Sequence, residues 1–279
     1  MKSPVLSILF LLISVTLLAV PNDFRFRHFS VEDGLSSNSV RAIMQDKYGF
    51  LWIGTEEGLN RYDGIMIKSY SICPQAAGKY ISSLYGTKKN IWIGTDEGIY
   101  IYAYATETFT YFDLTTPNNV RITSIVNHIL QDKDGNLWFS TNGQGLFRYN
   151  LSKNYLEQYE FTSAFGIVAS TMADSDNQIW ALTNQGESGV YKLNKAENKF
   201  EPFGLLYNAG NHHSQALAML EDSEQTLWLG TWECGLQKID KYIHSICLCI
   251  LQLDTFLAHE DNQQSYSFDK ILNQQTLYH

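Results

Sequence analysis

The chain has 279 residues, 44% of them hydrophobic and 14% aromatic, and a formal net charge of −9. That apolar content supports a packed core and excludes wholesale disorder. No Lys/Arg run follows the N-terminal segment, so the clustered positive charge on which nucleic-acid binding rests is missing.

Residues 1–20 differ in kind from the rest. Lys2 precedes Val5–Val20, apolar except for Ser7, Ser14 and Thr16, and Pro21 follows. This order is that of a secretory signal, with Leu17 and Ala19 at the −3 and −1 positions of a cleavage site. A short uncleaved anchor competes with that reading, although about 16 apolar residues is marginal for a full span. Export is the expectation.

Downstream, Val40–Asp46 alternates apolar and polar residues and predicts an inner strand. Asp46-Lys-Tyr-Gly49 is a tight turn, because Asp bonds its own backbone and Gly tolerates positive φ. Phe50–Thr55, Gly58–Tyr62 and Met66–Tyr70 are the next three strands. The same order returns in 122–161 around the turn Asp132–Gly135, and in 216–239 around the turn Asp222–Gln225. No convincing helical period appears, so the chain reads as all-β.

The strands belong to a repeat. Five segments carry a Trp in a short apolar run, then a small residue, a Thr and, after a loop, a Gly: LWIGTEEGL, IWIGTDEGI, LWFSTNGQGL, IWALTNQGESGV and LWLGTWECGL. Their tryptophans, Trp52, Trp92, Trp138, Trp180 and Trp228, are 40, 46, 42 and 48 residues apart. A period of roughly 40–50 residues with four short strands is the signature of a β-propeller, one blade per repeat. Residues two apart on a strand share a face, so Trp52/Gly54, Trp92/Gly94 and Trp228/Gly230 each make a knob beside a hollow. The expectation is that the indole of one blade stacks over the small residue of the next. Trp138/Ser140 keeps the pattern, whereas Trp180/Leu182 breaks it, so the fourth blade should pack differently.

The step from Trp to the following Gly is 6, 6, 7, 9 and 7 residues. A variable loop on a constant frame is where a propeller varies its binding rim. The longer loops offer Asn142, Gln144, Asn184, Glu187, Trp232 and Glu233 as candidate ligand contacts. Trp232 is the one Trp outside the repeat position, and an exposed indole suits stacking on a sugar face. The competing reading folds its ring back on the blade. The pairs Glu56/Glu57 and Asp96/Glu97 read as hairpin-loop residues rather than glycosidase carboxylates, which must converge across one bond. His212-His213 is ill placed for a shared metal, since neighbours on a strand point apart. Cys73, Cys234, Cys247 and Cys249 show neither zinc spacing nor a disulfide framework. No catalytic motif, metal site or cofactor is expected.

One resemblance is specific. Phe26-Arg-His-Phe-Ser-Val-Glu-Asp-Gly-Leu-Ser-Ser-Asn-Ser-Val40, followed by Ile43–Asp46, Leu51–Thr55 and Gly58–Gly64, resembles the opening of the two-component regulator propellers. These are periplasmic sensors of hybrid two-component systems in glycan-degrading bacteria. The similarity runs over about residues 24–243. It implies a periplasmic sensor, tethered to the inner membrane in its complete form, that detects an oligosaccharide and signals to a histidine kinase. It also implies further blades beyond these. Tyr242–Gln252 is unusually apolar for a fifth blade's last strand, and 259–272 resembles a linker into another blade. The expected layout is therefore a signal or anchor in 1–20, five blades in 21–243, and an irregular 244–279 opening a sixth. The alternatives are an exported propeller enzyme of the polysaccharide- or antibiotic-lyase type and a protein–protein platform.

Overall fold

The computed structural model describes residues 26–72, 79–161, 166–183, 189–203, 216–231, 235–241 and 245–251. They form five four-stranded antiparallel sheets, each built from strands consecutive in sequence. Blade one is β1 (Val40–Gln45), β2 (Leu51–Thr55), β3 (Gly58–Tyr62) and β4 (Ile67–Tyr70). Blade two is β5 (Ile81–Gly86), β6 (Asn90–Thr95), β7 (Gly98–Ala103) and β8 (Thr108–Tyr111). Blade three is β9 (Val126–Gln131), β10 (Leu137–Thr141), β11 (Leu146–Asn150) and β12 (Tyr155–Tyr159). Blade four is β13 (Val168–Ala173), β14 (Ile179–Thr183), β15 (Val190–Asn194) and β16 (Lys199–Pro202). Blade five is β17 (Ala216–Glu221), β18 (Leu227–Thr231), β19 (Leu236–Asp240) and β20 (Ser245–Leu251). The apolar run near residue 250 is thus the fourth strand of blade five, past the boundary at 243 read from the sequence.

Four of the five blades are pinned by a bond the sequence pattern did not disclose. Asp46 accepts the backbone N–H groups of Tyr48 and Phe50 on Oδ1, which closes the turn. Its Oδ2 accepts the indole N–H of Trp52 at 2.7 Å. Asp132, Asp174 and Asp222 do the same for Trp138, Trp180 and Trp228 at 2.8, 3.0 and 2.7 Å. One carboxylate therefore sets the hairpin and satisfies the polar atom of a ring that must be buried. Blade two lacks the device. Thr87 stands in the aspartate's place in a turn one residue shorter, bonded to Asn90, and the Trp92 indole N–H is buried without a partner. At the other end of each hairpin, Thr55, Thr95, Thr141 and Thr231 donate to the carbonyls of Gly58, Gly98, Gly145 and Gly235. Gly145 has φ of 77°, and a methyl group on it would sit 2.3 Å from the Tyr159 carbonyl, so the loop ends on glycine.

The cores lie between blades. Trp52 packs with Ile81, Ile93 and Tyr102 of blade two, and Trp92 with Val126, Ile129 and Phe139 of blade three. Trp138 meets Val168 and Tyr191 of blade four, and Trp180 meets Ala216 and Leu229 of blade five. This corrects the expected stacking of an indole over the next blade's glycine. Trp and Gly lie on the same face, and the hollow receives the first residue of the next inner strand. A methyl group on Gly54 would stand 2.5 Å from Ile81 Cγ2, and one on Gly94 would stand 2.9 Å from Val126 Cβ. The fourth blade follows the same scheme, contrary to expectation. Leu182 occupies the small-residue position, and the residue facing it, where Ile81, Val126 and Val168 stand elsewhere, is Ala216. Bulk has moved across the interface while the fit is kept.

Among the described residues, the stack has two open faces. On blade one, Ile43 is 66% exposed, while its counterpart Ile129 in blade three is buried. On blade five, Leu220 is 55% exposed and Trp228 is only partly covered. The outer half of blade one is sheltered by the segment before β1. Ser36 and Asn60 exchange hydrogen bonds at 3.0 and 2.8 Å, Ser69 donates to the Gly34 carbonyl, and Phe29 packs on Tyr62.

Trp92→Ala is expected to cost about 3–5 kcal/mol, as for other buried rings. Trp138→Phe is expected to cost about 1.5–3 kcal/mol more than Trp92→Phe, because only the first severs a bond to a charged group. Equal losses in urea melts of the two Phe variants would exclude the clamp as a stabilising bond. Ala216→Ile is expected to destabilise by about 1–3 kcal/mol through overpacking. Adding Leu182→Gly should recover part of that loss, seen in a double-mutant cycle as a favourable coupling between the two changes.

Candidate functional site

Antiparallel hairpins place the β2–β3 loop, and its equivalents, at one end of the blades and the Asp turns at the other. The loop end carries the candidate ligand residues. Asn142 is exposed there, its backbone N–H bonded to the Ile125 carbonyl. Gln144 is held differently. Its Oε1 accepts from the N–H groups of Thr123 and Ser124 and from the Ser124 hydroxyl, at 2.9–3.0 Å, and its Nε2 donates to the Arg121 carbonyl. Gln144 therefore fastens the linker entering its own blade. Asn184, Glu187, Trp232 and Glu233 lie outside the described residues, as do His212 and His213.

The acidic loop residues are engaged. Glu56 pairs with Arg41, whose hydrogen bond holds the carboxyl below its usual range. Glu97 pairs with Lys79 from the linker into blade two. Neither pair offers two carboxyls facing one another across a cleft, as glycoside hydrolysis requires. Toward the axis, each inner strand carries a bulge near its start. Bulge residues Ser82 and Asn127 donate to the carbonyls of Val126 and Val168 on the next inner strand, at 2.8 and 2.9 Å. The axial wall thus spends polar groups on joining blades. His128 on β9 does not recur in the other repeats, but its Nδ1 accepts the Thr171 N–H at 3.4 Å. Burial lowers its pKa.

Sequence reasoning missed a second cluster, at the turn end between blades four and five. Lys241 lies 2.6 Å from Glu221 and 3.4 Å from Asp174, and Glu221 also accepts from the Ser175 hydroxyl at 2.9 Å. Burial pushes the Asp174 carboxyl up, but the bonds from Trp180 and Gln178 and the Lys241 charge outweigh it and hold the group below its usual range. This is an interblade latch. Its members stand too far apart in sequence to advertise themselves. Among the described residues, no group of three or more His, Cys, Asp and Glu is gathered as for a metal ion.

A β-propeller of four-stranded blades with variable end loops is the class that fold and site define. The family described as two component regulator propeller matches residues 34–57 and 120–143. The chain resembles that family over these two segments, which fall at blades one and three. It is 46% identical over 68 residues to histidine kinase P4 of Formosa agariphila, a stretch covering 24% of this chain and 5% of the kinase. It also resembles the extracellular domain of a hybrid two component system from B. thetaiotaomicron, with 25% identity and a TM-score of 0.66 over 79% of this chain. The chain spans 31% of that domain's length. Virginiamycin B lyase from Staphylococcus aureus shares the fold at 17% identity and a TM-score of 0.56, over 73% of this chain and 67% of the lyase.

Because burial depresses the His128 pKa, the unfolded chain takes up that proton first. Its contribution to stability is complete above about pH 6.5 and is lost as pH falls from there toward the folded pKa. The thermal midpoint should therefore drop between pH 7 and pH 5, and drop less in His128→Gln. Parallel pH profiles of the two proteins would show that the imidazole is not the group involved.

Proposed function

We propose that this chain is an exported, ligand-sensing propeller that detects oligosaccharides and signals to a histidine kinase outside it. The observation that supports this reading is the joint likeness to a histidine kinase and to the extracellular domain of a hybrid two-component system. The location would be the periplasm, with residues 1–20 as export signal or short anchor and the complete protein tethered at the inner membrane. Among the described residues, no helix is long and apolar enough to cross a membrane. Asn142, Asn184, Glu187, Trp232 and Glu233 are the proposed ligand contacts, with Gln144 holding the loop that presents Asn142. The chain would bind and not turn over its ligand, since Glu56 and Glu97 already serve as ion-pair partners.

The lyase fold favours a second reading, that of an exported propeller enzyme acting from its axial rim. His128 supports it poorly, because its ring is turned against Thr171 of the next blade. A panel of plant and host oligosaccharides incubated with the purified chain separates the two. Binding is expected without new products, and it should weaken about tenfold in Asn142→Ala if one hydrogen bond to the ligand is lost. New chromatographic peaks that vanish when a rim residue is replaced would establish the enzyme instead.

A further inference from the structure

The turn end of blades one and two holds a cavity of ≈ 230 Å³, lined among others by Phe50, Arg61, Tyr104 and Glu107. Two of its polar atoms are unmatched: Arg61 Nε and the Tyr104 hydroxyl are both buried without a hydrogen-bond partner. A buried donor on a cation is costly to leave unbonded, so each such atom in a native fold calls for a partner. No carboxylate among the described residues forms an ion pair with Arg61. Aromatic faces surround it instead, with the guanidinium carbon 4.5 Å from the Phe50 ring centre and 5.5 Å from that of Tyr70. Lys47, bonded to the Lys88 carbonyl, brings a second positive charge to within 4.6 Å of the Tyr104 ring, and Tyr48 meets Tyr104 edge-on at 5.4 Å.

We propose that this cavity binds one six-membered sugar ring carrying a carboxylate, a hexuronic acid or its glycoside. The carboxylate meets Arg61 Nε, which supplies the charge-assisted bond the free protein lacks. The C–H face of the ring lies against Tyr48 and Tyr104, amphipathic surfaces with an apolar body and a polar tip. Glu107 accepts from ring hydroxyls, and the Tyr104 hydroxyl joins them as a neutral donor, since burial pushes its pKa up to about 12. Asp46 stays out of the contact because its oxygens already hold the turn and Trp52. The volume suits one sugar unit rather than a chain. The site lies at the opposite end from the variable loops. It stands on the pocket's own chemistry and survives if the sensor reading fails.

Calorimetric titration of the whole chain with D-glucuronate, D-glucose and acetate tests it. Glucuronate should bind saturably and about tenfold or more tightly than glucose, the worth of one hydrogen bond to a charged group. R61Q should bring glucuronate down to the glucose level. Y104F should weaken it severalfold while leaving the melting midpoint unchanged, which keeps the test decisive if R61Q folds poorly. Absence of glucuronate binding, or binding indifferent to Y104F and R61Q, would overturn the proposal. Acetate binding as tightly as glucuronate would overturn it too, by showing a bare anion site. Oligosaccharides that bind the chain equally well in Y104F and R61Q would occupy the loop rim and bear only on the sensor reading.

Discussion

The bond from an indole N–H to the aspartate six residues earlier holds four of the five blades to one plan. A tryptophan offers the largest apolar surface of any side chain, but burying it requires a partner for its nitrogen. Here that partner is the residue already needed to close the hairpin, so turn, strand register and interblade core share one carboxylate. With the ring fixed in direction, the neighbouring blade has a fixed surface to meet. The small residue two places on, the Thr-to-Gly loop closure and the bulged inner strand all follow in register from that point.

Much of this was legible from residue spacing. The five tryptophans marked the blades, and the alternation of Val40–Asp46 and the turn Asp46–Gly49 placed the first hairpin where it is. What spacing could not convey was which surface each face meets. Trp52 and Gly54 were rightly put on one side of β2, but the partner of that side lies in another blade. The filling of Gly54 by Ile81 is a relation between residues 27 apart. The same limit concealed the compensation between Leu182 and Ala216. Each looks like an exception in its own repeat, and only together do they restore the rule. The Lys241 latch was hidden for a further reason: Glu221 and Lys241 sit within ordinary turn sequences, and pairing requires the fold.

The candidate site was less readable than the frame. The loop lengths led to Asn142 and Gln144, yet Gln144 spends its amide on the linker at 121–124. The cavity beside Arg61 left no trace in the pattern. Arg61 is the penultimate residue of β3, where an alternating strand would carry an unremarked polar residue. Its setting arises because aromatic rings pack on its guanidinium, while the nearby Asp46 is already bonded to its turn and to Trp52. The two ends of the blades thus differ in character, one laced by backbone-to-amide bonds, the other by ring faces and cations.

The reciprocal fit of Leu182 and Ala216 has an evolutionary corollary. Tandem repeats grow by copying, and copies are interchangeable only while every junction carries the same pair. Blades one and two present a glycine to a β-branched neighbour, whereas blade four presents a leucine to an alanine. A duplicate of blade two inserted after blade four would bring Ile81 against Leu182. The order of the blades is therefore written into their seams, and a recombination between repeats is silent only where both sides of a seam travel together.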